Sequence, residues 1–285
     1  MRSLWLGGGL VGLGLGLVLL GLAWRPADPT ALGPERFSGP TLRHPMGSDW
    51  FGRDILSRVM VGGRASWAVA AIAVAVGGVV GILLGGVAGH AGGILGEALM
   101  RVPDFLLAFP AVLVALLLVA VLGPGLLGVT LSVALFTIPF FARLVHAGVL
   151  SLREQEFVIA AHALGAPPGR VLLRHILPNL ASPLLVQATV SLGGAFLAEA
   201  ALSYLGLGIQ PPHPSWGRML RESQTYFYLS PWPAVFPGLV LGLTVLGLNL
   251  LGDGLRDLVD PTFRHITPWR RRAGRGRRAG APPPR

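Results

Sequence analysis

The side chains of this sequence that could carry out chemistry are few, and their spacing favours no reaction. Ser132, Ser191 and His146 are the obvious material for a hydrolase, but no motif sets a nucleophile beside a base. The sequence contains no lysine, so the P-loop pattern G-x-x-x-x-G-K-[ST], whose Lys reaches the phosphates, cannot occur. The sequence therefore predicts no catalytic residue and no cofactor, and any ATP that drives this protein must be bound by partner subunits.

Metal chemistry has equally little support in the sequence. There are no cysteines, which removes thiolate ligands and disulfides. The histidines considered as ligands show no ligand-like clustering: His90, His146, His162, His175, His213 and His265. The sequence therefore predicts no metal site.

The composition indicates an integral membrane protein. Of 285 residues, 52% are hydrophobic and only 13% are charged, whereas soluble domains carry roughly 25% charged residues. The mean hydropathy is +0.64, and several apolar runs reach the roughly 20 residues that cross a bilayer. The net charge of +10 is explained by Arg-rich segments on the cytoplasmic side of a membrane, so we expect no nucleic-acid partner.

Hydropathy predicts an all-α polytopic protein with six transmembrane helices. A signal peptide is the alternative reading of the first apolar run. That run is longer than a typical signal sequence and the following "LAWRPADP" lacks a small-residue cleavage site, which favours a retained helix. The predicted spans are about 4–22, 67–88, 102–122, 126–145, 180–200 and 234–251.

The distribution of Arg predicts that both termini are cytoplasmic. We expect residues 1–65 to hold the first span and an extracytoplasmic segment, residues 66–264 to form the main membrane domain, and residues 265–285 to be a disordered basic tail near anionic lipid. The outer segment 201–233, rich in Gly and Pro, suggests a compact re-entrant or interfacial loop.

Within the first outer segment, "GSDWFGRDILSRVM" predicts a short amphipathic helix. Ser48 is placed to cap it, and Asp49–Arg53 and Asp54–Arg58 have the i, i+4 spacing of helical ion pairs.

A helical hairpin is predicted at 152–178, between the fourth and fifth spans. Ser151 and Glu154 form an S-x-x-E capping box, Gly165 is suited to end the first helix, a Pro pair can open the second, and Pro178 ends it. Such an amphipathic element could lie in a partner's groove or flat against its own bundle, and the spacing leaves both open.

Four stretches resemble one family of transport proteins. "AAHALGAPPGRVLLRHILPN", within the hairpin, resembles the cytoplasmic EAA loop of ATP-binding-cassette importer permeases. Three further stretches resemble the C-type subunit of the dipeptide/oligopeptide/nickel permease family. They are "HPMGSDWFGRDILSRVMVGGRAS" at 44–66, "EAALSYLGLGIQPPHPSWG" at 199–217 and "LNLLGDGLRDLVDPTFR" at 248–264. The resemblance covers roughly residues 40–264.

The resemblance implies a type I importer permease in a bacterial or archaeal plasma membrane. It further implies a second homologous permease, two ATP-binding ATPase subunits, an extracytoplasmic solute-binding protein, and a dipeptide, oligopeptide or nickel as solute. The hairpin would dock on an ATPase subunit through Glu156, Phe157, Ala160, Ala161, His162, Leu164, Gly165, Arg170 and Arg174. The family usually has Glu and often Arg where this chain has Ile159 and His162, so Arg153, Glu154, Glu156 or Arg174 would supply the polar contacts.

Polar residues near the spans could line a transport path, or could instead bond helix to helix. The candidates are Thr137, Gln187, Glu199 and Asn249. The alternative function is a secondary transporter coupled to an ion gradient, which usually carries ionisable groups within its spans. Asp104, Arg143 and Glu199 are expected near span ends, which argues against that alternative.

Overall fold

A computed structural model describes residues 2–259, and helices build nearly all of that range. The predicted tail, the last residues of the family-like stretch and His265 lie outside it. The α-helices, in chain order, are α1 Arg2–Ala23, α2 Ile55–Ala91, α3 Gly93–Ala108, α4 Ala111–Leu122, α5 Leu126–Leu152, α6 Glu156–Ala163, α7 Pro168–Val171, α8 Ala181–Tyr204, α9 Trp216–Gln224 and α10 Trp232–Val259.

The long apolar helices confirm an all-α membrane protein with several spans. Within residues 2–259, five helices are long and apolar enough to cross a bilayer, and there are up to six spans if α3 and α4 together count as one. The predicted third span is wrong as a straight helix, because α3 already begins at Gly93 and meets α4 at a bend of 90°. Pro110 has no N–H and disfavours helical geometry at Phe109, whose backbone is extended, so the helix breaks there.

The short outer amphipathic helix is wrong, because the chain before Asp54 forms turns. Asp54 rather than Ser48 caps α2, through a bond of 2.7 Å from the Ser57 amide to Oδ2. From Ile55 the helix continues without a break through the predicted start of the second span. Of the two predicted ion pairs Asp49–Arg53 forms, whereas Arg58 pairs with Glu222 and Asp49.

A row of glycines lets α2 and α5 pack backbone to backbone. Gly77, Gly81, Gly85 and Gly89 of α2 all face α5, as their four-residue spacing predicts. On α1, glycines also recur every four residues at Gly8, Gly12 and Gly16, a spacing that predicts close helix packing, but Gly12 and Gly16 meet no neighbour. A seven-residue repeat packs instead, against α10 and α2: Gly7, Gly14 and Gly21.

This packing predicts opposite outcomes for two matched substitutions. In Gly81→Val, the new Cβ would lie 2.6 Å from the Ile138 carbonyl oxygen and 2.7 Å from the Phe141 Cβ. We expect a loss of about 3 kcal/mol of stability, near the upper end for overpacking. In Gly16→Val the Cβ meets nothing within 4 Å, so thermal unfolding in detergent should match the wild type. Equal unfolding temperatures for the two variants would contradict the packing.

The predicted hairpin is partly right. The Ser151–Glu154 capping box is wrong, because α5 continues to Leu152 and α6 begins only at Glu156. The helix stop at Gly165 is confirmed: its φ is +78° and its N–H donates to the His162 carbonyl. The next amide, of Ala166, donates to the Ala161 carbonyl at 3.1 Å, which completes a Schellman motif.

After the turn, the Pro pair opens a second helix as predicted, with Pro168 at the first position of α7. Pro178 does not end it. The helix passes through a π turn at Leu172–Ile176 and a 3-10 turn at Leu177–Leu180 and then continues as α8. Pro178 lies at the start of the 3-10 turn, where its missing N–H leaves no bond unmade.

Candidate functional site

The segment 153–180 has a small apolar core that fixes it to the end of α5. Val158 and Ala161 of α6 are buried in this core. Its other buried members come from α5 and from the chain after the turn: Val145, Val149, Val171, Ile176 and Leu180. The segment is therefore held against its own bundle, and Ala161, one of the predicted docking residues, points inward. We call the end of the bundle that carries this segment the loop end.

The outer side of α6 and its turn exposes apolar side chains. Leu164 is 89% exposed and Ile159 57%. Phe157 is also exposed, although it is one of the larger apolar side chains of the segment. Of the predicted docking residues, those exposed are Glu156, Phe157, Ala160, His162, Leu164, Gly165, Arg170 and Arg174. They form a mixed apolar and basic surface, and that an ATPase binds there stays a prediction.

An open cleft of about 450 Å³ lies between α4, α5 and α8. Its lining is mostly apolar, with Phe136, Phe140 and several Val and Ala side chains. The polar lining side chains are Ser132, Thr137, Gln187 and Ser191. Gln187 donates to the Ser191 hydroxyl at 3.0 Å, which leaves its carbonyl oxygen available to a solute. Thr137 and Gln187 thus lie on a cavity wall, and contact with a solute stays a prediction.

The other two candidates for path lining lie elsewhere. Glu199 is buried on α8, where Ser203 donates to its Oε1 at 2.7 Å, and it is not among the lining residues of the cleft. Asn249 is exposed on α10, beside Gly193 of α8. Their spacing along the sequence could not reveal on which side of each helix they lie.

Asp104 of α3 and Arg143 of α5, both expected near span ends, lie beside one another. They form an ion pair with 2.6 Å between Arg143 Nη2 and Asp104 Oδ1. Helix α5 extends to Leu152, beyond the predicted span that ended near residue 145, and the position of the pair relative to the membrane stays a prediction.

At the opposite end of the bundle, an ion network joins the start of α2 to α9. Arg58, with a side chain 2% exposed, bonds Glu222 at 2.8 Å, and Arg53 bonds the same carboxylate oxygen at 3.2 Å. Arg218 holds the other oxygen at 2.7 Å, and Asp49 pairs with Arg53 at 2.6 Å. The sequence does not reveal this network, because Arg58 and Glu222 are 164 residues apart.

A buried tryptophan fixes α9 in the same place. Trp216 is fully buried and donates from Nε1 to the Val59 carbonyl at 2.9 Å. It also stacks on Phe196 of α8. Sequence analysis expected only a loop in this segment. The Ser215 cap and the strongly amphipathic "WGRMLRESQ" were the available signals for a helix.

Apolar spans around an open cleft, with an exposed apolar loop at one end, define a polytopic membrane protein of the transport type. Comparison with known sequences identifies the family. Residues 81–265 match the family of inner membrane components of binding-protein-dependent transport systems. The chain belongs to this family, the permease subunits of ATP-binding-cassette importers.

Curated relatives and a solved structure agree with this family. The chain is 45% identical to the dipeptide transport system permease protein DppC of Alkalihalophilus pseudofirmus, over 81% of this chain and 76% of the relative. It is 48% identical to the glutathione transport system permease protein GsiD of Escherichia coli, over 80% and 75%. The inward-facing MetNI methionine ABC transporter matches its fold, with a TM-score of 0.56 and 19% identity over 70% of this chain and 95% of that one. These comparisons give no support to an ion-coupled secondary transporter.

Proposed function

We propose that this permease subunit forms half of the path of a small-peptide importer and is moved by ATPase subunits through the segment 153–180. The observation that carries the proposal is the exposed tip of that segment. Leu164, at 89% exposure, is presented on a Schellman turn whose base is packed on α5. An exposed apolar tip on a rigid base is suited to insert into a groove of another protein.

A second, homologous permease would close the open side of the cleft. The cleft presents Gln187 and Ser191 within an apolar wall. Lipid would leave part of the bonding capacity of the Gln187 amide unsatisfied, whereas a second permease could enclose a hydrated path. This supports a pair of permeases, two ATPase subunits that bind the ATP, and an extracytoplasmic binding protein that delivers the solute.

The proposed solute is a dipeptide or another short peptide rather than nickel. The two curated relatives carry the names of dipeptide and glutathione systems. Among residues 2–259, no three His, Asp or Glu side chains come together in a way that could hold a metal ion. In this proposal the chain itself catalyses no reaction. It forms part of the transport path, and its segment 153–180 transmits the movement of the ATPase subunits to that path.

The proposed topology places both termini and the segment 153–180 on the cytoplasmic side of the inner membrane. The ion network of Arg58 and Glu222 then lies on the extracytoplasmic side. This arrangement is supported by the Arg-rich tail, which the positive-inside rule assigns to the cytoplasm.

The proposal predicts uptake only by the complete assembly. The permease pair with its ATPase subunits would be reconstituted in proteoliposomes, with the binding protein outside and ATP inside. We expect uptake of a radiolabelled dipeptide that stops without ATP and continues when an uncoupler removes ion gradients. Uptake by the permeases alone, or uptake that an uncoupler abolishes at constant ATP, would contradict the proposal.

A further inference from the structure

The ion pair between Asp104 of α3 and Arg143 of α5 is not sealed within the bundle. The side chain of Arg143 is 53% exposed and that of Asp104 is 44% exposed. Charged side chains of a membrane protein face water or protein rather than lipid tails. The exposed side of this pair therefore needs water or another protein chain next to it.

Arg143 lies within α5 rather than at its end. The helix Leu126–Leu152 is ~40 Å long at 1.5 Å per residue, and the Cα of Arg143 lies ~14 Å from the end at Leu152. The ion pair is therefore part of the wall of the helix bundle and not of the segment 153–180 that follows α5.

The pair also continues the wall of the cleft toward the loop end. Phe136 and Phe140 of α5 line the cleft, and Arg143 follows at the next position of the same helical stripe. Asp104 lies just before the bend after which Ala111 lines the cleft. None of the residues that line the cleft is charged. A solute that leaves the cleft toward the loop end would therefore pass from an uncharged wall to this ion pair.

We propose that Asp104 and Arg143 form a binding contact for the charged groups of a passing peptide, an inference that rests on the proposed function above. Inside an apolar cleft, the ammonium and carboxylate of a peptide lose hydration, which is costly without compensating partners. The carboxylate of Asp104 is suited to the ammonium group, and the guanidinium of Arg143 to the carboxylate, which it can bind with two parallel bonds. Because the two protein charges neutralise one another when no peptide is present, the empty path avoids an isolated charge.

The contact predicts opposite changes in selectivity when either charge is removed. Asp104→Asn leaves Arg143 unpaired, so the ratio of alanyl-glutamate to alanyl-lysine uptake should rise about tenfold, which corresponds to ~1.4 kcal/mol. Arg143→Gln leaves Asp104 unpaired, so the same ratio should fall about tenfold. Uptake would be measured in the reconstituted transporter with one unchanged binding protein, so that any change in the ratio comes from the permease.

The controls separate this contact from a purely structural ion pair. Asp104→Glu and Arg143→Lys keep both charges and should keep the wild-type ratio. A structural pair predicts that both neutral variants lose uptake of the two dipeptides equally, and that result would overturn the inference.

A second variant keeps the test decisive if a single neutral variant fails to assemble. Asp104→Asn with Arg143→Gln removes both charges and leaves neither unpaired. This double variant should assemble with its ATPase subunits but lose most uptake of both charged dipeptides, and wild-type uptake by it would overturn the inference. Absence of ATP-dependent uptake by the wild type would instead contradict the proposed function on which the inference rests.

Discussion

Leu164→Asp is expected to abolish ATP-driven uptake, with a loss of at least about 100-fold. A carboxylate at this exposed tip would have to lose its hydration inside an apolar groove, and a buried unpaired charge costs several kcal/mol. Two or three kcal/mol is enough for that loss, since each 1.4 kcal/mol is a factor of ten in binding. Leu164 makes no contribution to the small core at the loop end, so the bundle itself should fold and insert normally.

The measurement combines co-purification of the ATPase subunits with the dipeptide uptake assay. Leu42→Asp is the matched control, because Leu42 is fully exposed but lies between α1 and α2, outside the segment 153–180. The control should retain both the ATPase subunits and uptake. If Leu164→Asp retained wild-type uptake and its ATPase subunits, docking through this tip would be wrong.

Glu222→Ala is expected to cost about 3 kcal/mol of stability, the lower end for breaking a buried ion pair, because Asp49 still lies 3.7 Å from Arg58. The substitution removes the carboxylate shared by Arg58, Arg53 and Arg218. Arg58 cannot turn to solvent without moving the start of α2, because its side chain is 2% exposed. We therefore expect a large drop in the unfolding temperature in detergent, together with release of α9.

A surface ion pair in the segment between α1 and α2 supplies the control for this stability measurement. Glu35 lies 3.8 Å from Arg43, and both side chains are largely exposed. Exposed pairs contribute about 0–1 kcal/mol, so Glu35→Ala should unfold almost as the wild type does. Similar unfolding temperatures for Glu222→Ala and Glu35→Ala would show that the buried network does not stabilise the outer end of the bundle.

The sequence predicts the apolar membrane-spanning helices well, because hydropathy and glycine spacing are local signals. The spans and the α2 stripe from Gly77 to Gly89 follow from spacing along one helix. The helix stop at Gly165 follows from its tolerance of positive φ. Each of these features depends on residues near one another in the chain, which a single sequence displays.

Features that depend on distant contacts could not be predicted. Ser151 has the chemistry of a cap, but the packing of Val149 into the core at the loop end extends α5 past it. The pair of Asp104 and Arg143 joins α3 to α5 across 39 residues of sequence. The network of Arg58 and Glu222 joins residues from opposite ends of the chain, so neither partner is visible from its local sequence.

The same distinction applies to the candidate path. Thr137 and Gln187 reach the cleft whereas Glu199 faces Ser203 on its own helix. These residues are candidates only because they are polar and lie near the spans. Polarity does not specify the direction in which a side chain points. The arrangement of α4, α5 and α8 around the cleft supplies that direction.

Thiol labelling of Leu164→Cys tests the central claim most directly, because the chain has no other cysteine. A membrane-impermeant maleimide would be applied to inverted membrane vesicles that contain either the permease alone or the complete transporter. Leu42→Cys in right-side-out vesicles is the control. The account predicts that Leu164→Cys reacts from the cytoplasmic side when the ATPase subunits are absent and is protected when they are bound, while Leu42→Cys reacts from the outside in both preparations. Labelling of Leu164→Cys from the outside, or equal labelling with and without the ATPase subunits, would contradict it.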